Sequence, residues 1–215
     1  MKKIAIIGTG GLGREVLGII QSINKKVKIW DVLGFFDDNF FDDLVNGYPV
    51  IGTVDSINQI KEDLAIVVGI GNPNVKEKII ARINNPKITF PSILHPTVEI
   101  YDEKTVSLGK GVVIGANSVL TVNIQLDDFV YLNTATIISH DTKIGGYSII
   151  MPTTSISTGA IIGKRVYIGN GTKIDMPVSI KDDTVIKAGT VLSKNWFSIQ
   201  YTFITFTFLS YKLTP

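Results

Sequence analysis

The chain has 215 residues, of which 45% are hydrophobic and 19% charged, with a formal net charge of +2. That length suits one or two domains with a substantial core, and the charge leaves neither a basic stripe for nucleic acid nor an acidic tail. The absence of cysteine excludes a disulfide framework, a thiol nucleophile and a zinc–thiolate site.

The opening MKKIAIIGTGG imitates the start of a signal peptide, but its apolar run meets glycine after four residues, too soon for an h-region. No stretch reaches the length of a membrane span, so a cytoplasmic protein is expected. KKIAIIG instead predicts a buried strand, GREVLGIIQSI an amphipathic helix, and KIWDVLGFFDD a second strand with its exit. LAIVVGIG follows as a third strand and NVKEKIIARI as a second helix. Strands alternating with helices predict a small, Rossmann-like parallel sheet over residues 1–92.

Between the first strand and helix lies GTGGLG, which places Gly8, Gly10 and Gly13 in a GxGxxG pattern. Glycines let backbone approach a phosphate, and a helix N-terminus supplies N–H donors there. The domain is too short for both halves of a dinucleotide fold. A nucleotide diphosphate is therefore expected, with a nicotinamide cofactor or a purely conformational use of glycine as alternatives. Asp37 and Asp38 follow the second strand, where carboxylates accept from ribose hydroxyls or a base N–H. An ordinary Asp-rich turn is the competing reading of that pair.

After PKITFPSILHP the texture changes to a period of six. Leu or Ile occupies all fifteen positions from Leu108 to Leu192 taken six apart, far beyond chance, and the residue two before each is small or β-branched. A helix cannot hold a six-residue period on one face, and a flat strand alternates by two. Short strands joined by turns fit: two residues of each hexad point inward and three hexads close a coil of 18, stacked at about the 4.8 Å sheet spacing. This predicts a left-handed parallel β-helix within residues 93–195. Glycine often follows the aliphatic position, as at Gly109, Gly115, Gly145, Gly163 and Gly169, where positive φ in a tight turn is the expected reason.

His140 is one of only two histidines and is followed at once by Asp141. It belongs to neither inward set and is expected to face out. A neutral imidazole takes a proton from a nucleophile near pH 7, and a neighbouring carboxylate favours its protonated form. Thr158 lies 18 residues on, one coil away, where its backbone N–H could meet the oxyanion of a tetrahedral intermediate. Base and oxyanion donor without a protein nucleophile mean direct acyl transfer; a solvent-facing histidine on a repeat is the bland alternative.

A hexapeptide β-helix behind GTGGLGREV, with GFFDD, YPVIGT, ILHP and ISHDTKIG in that order, resembles the bacterial sugar acyltransferases. These are the sialic-acid O-acetyltransferases and the N-acetyltransferases of nucleotide-linked 4-amino sugars. The resemblance implies a homotrimer with acetyl-coenzyme A in the groove between neighbouring β-helices. It implies His140 as general base and Asp141 as the acidic residue that strengthens it. Gly10, Gly11 and Leu12 match the loop cradling the nucleotide sugar, Asp37 and Asp38 the acidic pair on the same ligand, and Gly71 a glycine lining its pocket. Thr158, Asn170 and Ala188 match coenzyme contacts, and Ile149 stands where some amino-sugar enzymes place a histidine against the coenzyme. The chain departs from the family at Leu12, usually histidine, and at Thr158, usually glycine. It departs again in residues 196–215, which replace the usual GNPAK ending.

The expected activity is acetylation of the amine of a UDP-linked amino sugar in surface-glycan biosynthesis. Transfer to a hydroxyl of sialic acid or another sugar is the alternative, since one base serves both. No metal is expected: the zinc carbonic anhydrases that share this β-helix need three histidine ligands, and the chain has two. A non-catalytic sugar-binding scaffold would leave the His140–Asp141 pair without a purpose. The C-terminal YTFITFTFL alternates like a half-buried strand and is expected to pack on the last coil or a neighbouring subunit.

Overall fold

The computed structural model describes residues 1–39 and 43–193. In the first domain, the apolar run after the two lysines becomes strand β1 (Lys2–Ile7), whose last four residues are buried. Helix α1 (Gly11–Lys26) follows and buries Val16, Leu17, Ile19 and Ile20, while Lys25 and Lys26 complement its C-terminal dipole. The chain continues through β2 (Trp30–Phe36), β3 (Leu44–Val45), β4 (Tyr48–Gly52), β5 (Leu64–Val68), α2 (Pro73–Ala81) and β6 (Ile88–Thr89). The sheet order is β3-β4-β2-β1-β5-β6, parallel except for the β3–β4 hairpin. That hairpin turns on Asn46 (φ 48°) and Gly47 (φ 82°), the Asn-Gly pair that a two-residue turn favours. Because β1 is flanked by β2 on one side and β5 on the other, the glycine loop opens at a switch point in strand order, where ligands of such sheets bind.

The second domain is a three-sided parallel β-helix, with faces of six, six and five short strands. Face one runs from Ile93–Leu94 to Val185–Ile186, face two from Glu99–Ile100 to Val191–Ser193, and face three from Val106–Leu108 to Ser179–Ile180. Rungs pair 18 residues apart, as in Val113↔Tyr131↔Ile149. The hexad positions line the interior: Ile114, Leu120, Leu132, Ile138, Ile150, Ile156 and Ile168 are fully buried. Ser118, Thr136, Ser148, Thr154 and Thr172 of the second column are equally buried and spend their hydroxyls on backbone, as Ser118 and Thr136 do on the Asn133 carbonyl. Among the described residues no buried side-chain polar atom lacks a partner.

The helix begins at Ile93–Leu94 and Glu99–Ile100, two strands before the column of six starts at Leu108. These pair at a spacing of 20 instead of 18 (Leu94↔Ile114, Ile100↔Leu120), because two extra residues before Leu108 break the period. The glycines after the aliphatic positions, contrary to the sequence reading, do not carry positive φ. That conformation falls two residues later, at Gly111, Asn117, Asn123, Phe129, Ala135, Asp141, Tyr147 and their successors. Gly109, Gly145 and Gly169 are needed for proximity: a Cβ on Gly169 would lie 2.4 Å from the Ala188 nitrogen one coil below.

The two domains share a core. Val16, Leu17 and Ile20 of α1 cluster with the outward residues of face one, Ile93, Val113, Tyr131 and Ile149. The C-terminal tail, with the packing expected of it, lies outside the described residues.

Candidate active site

The glycine loop divides by function. Gly8 bends at φ 102°, and a Cβ on Gly13 would fall 1.8 Å from the Gly8 carbonyl oxygen, so these two are fixed by packing. A Cβ on Gly10 or Gly11 would meet nothing within 4 Å. Gly10 caps α1 without a side-chain hydrogen bond, so no N-cap side chain satisfies the N–H groups of the helix's first turn. Bareness with no packing cause is what close approach of a ligand to backbone requires. Gly71 is equally open, with only Leu12 Cδ2 at 3.9 Å from its would-be Cβ.

Asp37 and Asp38 both line a cavity of about 300 Å³ beside Gly8, but they are not equivalent. Asp37 accepts from the Thr9 N–H (2.8 Å), the Thr9 hydroxyl (2.7 Å) and the Asn39 N–H (2.9 Å). Partial burial pushes its carboxyl up, and these hydrogen bonds more than offset that, leaving it below the ordinary carboxylate range. Asp38 is held low chiefly by the Arg82 guanidinium at 2.6 Å and also accepts from the Val54 N–H. If the loop holds a diphosphate, UDP raises the unfolding temperature by linkage and NAD does not. Equal protection by both, or by neither, in a thermal-shift titration would contradict that reading.

His140 and Asp141 sit at the corner between faces two and three, just after Ile138 ends its strand. His140 Nδ1 lies 2.7 Å from Asp141 Oδ2. A carboxylate only accepts, so Nδ1 donates, and in the neutral ring Nε2 keeps its lone pair for a substrate proton. Asp141 accepts a second bond from Asn123 Nδ2 (3.0 Å), and the two together, His140 first, hold its carboxyl below the ordinary range. Asp141 also occupies a positive-φ slot (61°), stacked between Asn123 and Gly159 at the same slot of adjacent coils. Asn, Asp and Gly tolerate that backbone best, so the turn and the histidine favour the same residue. Asn123 was not anticipated, although the step of 18 that leads forward to Thr158 leads back from Asp141 to it.

The other expected coenzyme contacts are spread around the helix. Thr158 is one coil from His140, its hydroxyl 3.3 Å from the His140 carbonyl, and among the described residues its N–H has no hydrogen-bond partner. Asn170 and Ala188 are exposed one coil apart at the next corner, between faces one and two. Ile149 does not join them. It is fully buried in the core shared with the first domain, so the expectation that its side chain lies against the coenzyme does not hold. Glu15 was also unforeseen: from α1 it accepts from Asn133 Nδ2 at 3.1 Å, tying the first domain to face one beside the shared core.

Residues 3–83 match the PglD N-terminal domain. Residues 125–175 match the six-repeat bacterial transferase hexapeptide family, and 104–122 with 159–194 match the hexapeptide repeat of succinyl-transferase. The chain thus matches a PglD N-terminal domain model followed by transferase hexapeptide models. Its fold is that of the acetyltransferase domain of PglB from Neisseria gonorrhoeae FA1090. The TM-score is 0.81 at 26% identity, over 90% of this chain and 92% of that one. The same domain is also known in complex with acetyl coenzyme A. The chain is 27% identical over 121 residues to the UDP-N-acetylbacillosamine N-acetyltransferase of Bacillus subtilis (strain 168), covering 54% of this chain and 52% of that protein. It is 29% identical over 94 residues to the UDP-3-O-acylglucosamine N-acyltransferase of Bordetella avium (strain 197N), covering 42% and 26% respectively. The chain thus spans about half or less of the length of these curated relatives. Among the described residues there is no cluster of three or more metal-ligating side chains and no helix long and apolar enough to cross a membrane.

Proposed function

We propose that the chain transfers an acetyl group from acetyl-coenzyme A to the amine of a UDP-linked amino sugar, in the cytoplasmic assembly of a surface glycan. The observation that carries the reading is the His140–Asp141 pair, with Nδ1 committed at 2.7 Å and Nε2 free. The likeness to an acetyltransferase domain over 90% of the chain supports the acyl donor. The names of both curated relatives, and the open backbone at Gly10 and Gly11, support a UDP-sugar acceptor. Gly10, Gly11, Leu12 and Gly71 contact the sugar nucleotide in this reading, with Asp37 and Asp38 at its base.

In the proposed step the amine nitrogen attacks the thioester carbonyl carbon while its proton passes to His140 Nε2. The Thr158 N–H donates to the oxyanion that forms. Collapse breaks the C–S bond, and the proton on His140 moves to the departing thiolate. Asp141 stays ionised throughout and fixes the ring tautomer. No covalent enzyme intermediate is needed, because the acceptor supplies the nucleophile.

The His140 and Asp141 side chains are 54% and 56% exposed in one chain, too open to desolvate a thioester. Thr158 lies at a different corner from Asn170 and Ala188, so one chain cannot gather them into a single groove. A trimer that sets the corner of one β-helix against the side of the next supplies the missing wall. Light scattering is expected to give about 70 kDa, three times the 23.5 kDa chain. An active monomer would contradict the shared site. Acetyl transfer itself is tested by thiol release from acetyl-coenzyme A in the presence of UDP-linked amino sugars.

A further inference from the structure

The cavity beside Gly8 has apolar walls, from Val54, Ile70, Val75 and Ile79, and a charged edge formed by the acidic pair, Arg82 and Lys78. Such a slot suits a flat heteroaromatic base whose ring packs on the walls and whose polar edge meets the charges. A carboxylate offers about four lone-pair positions. Asp37 spends three of them within the protein, whereas Asp38 spends two, on the Val54 N–H and on Arg82.

Arg82 is itself fixed in place. Its Nη1 donates to Asp38 Oδ2 at 2.6 Å, and its Nε and Nη2 meet Asp55 Oδ1 at 2.9 and 2.8 Å. One hydrogen on each terminal nitrogen remains uncommitted. The edge therefore presents an acceptor, Asp38, beside a donor, Arg82, both preorganised before any ligand arrives.

We propose that the Asp38–Arg82 pair reads the nucleobase as an adjacent N–H and C=O, which makes Arg82 a specificity-determining residue for uracil over cytosine. The proposal rests on the nucleotide-sugar reading above. Uracil N3–H donates to Asp38 and its O4 accepts from Arg82. Cytosine puts a bare N3 lone pair against the carboxylate and an amino group against the guanidinium, so both contacts turn repulsive. Guanine has the same N–H and C=O edge as uracil, so the comparison between pyrimidines isolates the pair.

Calorimetric titration of UDP and CDP into wild type, Arg82→Gln and Asp38→Asn tests this. Wild type is expected to bind UDP roughly 10²-fold tighter than CDP. Arg82→Gln should bring the ratio within tenfold, mainly by weakening UDP. Asp38→Asn should narrow it by admitting CDP, because an amide can donate to cytosine N3. An Arg82 that merely braces the domain through Asp38 and Asp55 would, when replaced, lower stability or weaken both ligands alike and leave the ratio unmoved. That result, or UDP and CDP binding within threefold in wild type, would overturn the proposal while leaving the nucleotide site standing. Binding of neither ligand would overturn both. If Arg82→Gln does not fold by circular dichroism, the same ratio is read in Arg82→Lys, which keeps the charge but loses the fork; an unchanged ratio there equally overturns the proposal.

Discussion

Replacing His140 with alanine is expected to lower kcat by roughly 10²–10⁴-fold while leaving the KM for acetyl-coenzyme A within a few-fold. The loss should fall on kcat because the imidazole takes the proton only as the amine attacks. The chain should remain folded, since the side chain is 54% exposed and covers no core. Asp141→Asn should cost less. An amide can accept from Nδ1 and keep the ring oriented, and asparagine suits the positive-φ slot at 61° as well as aspartate does. Steady-state kinetics at neutral pH decide the matter: more than half of wild-type activity in His140→Ala would show that His140 is not the base. Asp141 itself is not the source of an acid limb above pH 5. Its folded pKa lies below the ordinary 3.8, so its proton returns only below that value.

Gly13→Ala is expected to unfold the first domain or lower its melting temperature by about 6–12 °C. The new methyl would overlap the Gly8 carbonyl oxygen at 1.8 Å, an overpacking worth about 3 kcal/mol or more in a chain of this size. Neither neighbour can yield: Gly8 is pinned by its N–H bond to the Phe36 carbonyl, and the Gly69 N–H bonds Ile7 just below. Gly10→Ala and Gly11→Ala should leave thermal stability nearly unchanged, because open space surrounds both. If the open pair faces a diphosphate, the same two substitutions should weaken UDP binding about tenfold or more. Differential scanning calorimetry with and without UDP separates the cases. A stable Gly13→Ala would contradict the packing, and full UDP binding by Gly10→Ala and Gly11→Ala together would contradict the ligand.

The β-helix was legible in the sequence because its rule is local: one inward aliphatic every six residues leaves an unbroken column from Leu108 to Leu192. Its first two strands lie outside that column, because two extra residues before Leu108 shift the register that pairs Leu94 with Ile114. The glycines after the aliphatic positions were legible as a pattern and misleading as a cause. A spacing of six marks a turn, but only the stacking of coils reveals that the Gly169 slot is closed by Ala188 and that Asp141 holds the left-handed position.

For the site, the difference lies between what one chain segment dictates and what packing decides. His140 and Asp141 are neighbours in sequence, so their pairing follows from the turn alone. Ile149 rests on resemblance alone, at a position where some amino-sugar enzymes carry a histidine. The first domain then covers the outward side of face one and takes Ile149 into a common core. Asp38 and Arg82 are 44 residues apart, and only the return of α2 to the end of β2 joins them. The β3–β4 hairpin was missed, although its signal was local: Asn46-Gly47, whose two positive φ values match the turn.

The measurement that bears most directly on the central claim is thiol release from acetyl-coenzyme A by the purified 215-residue chain. The acceptor panel is UDP-linked amino sugars, the corresponding free amino sugars, and sialic acid. Thiol release with a UDP-linked amino sugar, accompanied by a product 42 Da heavier by mass spectrometry (the mass of one acetyl group replacing hydrogen), is the expected result, with free amino sugars and sialic acid at background. Turnover of sialic acid with no reaction on any UDP-linked amine would contradict the proposed acceptor, and the absence of thiol release with every acceptor would contradict acetyl transfer.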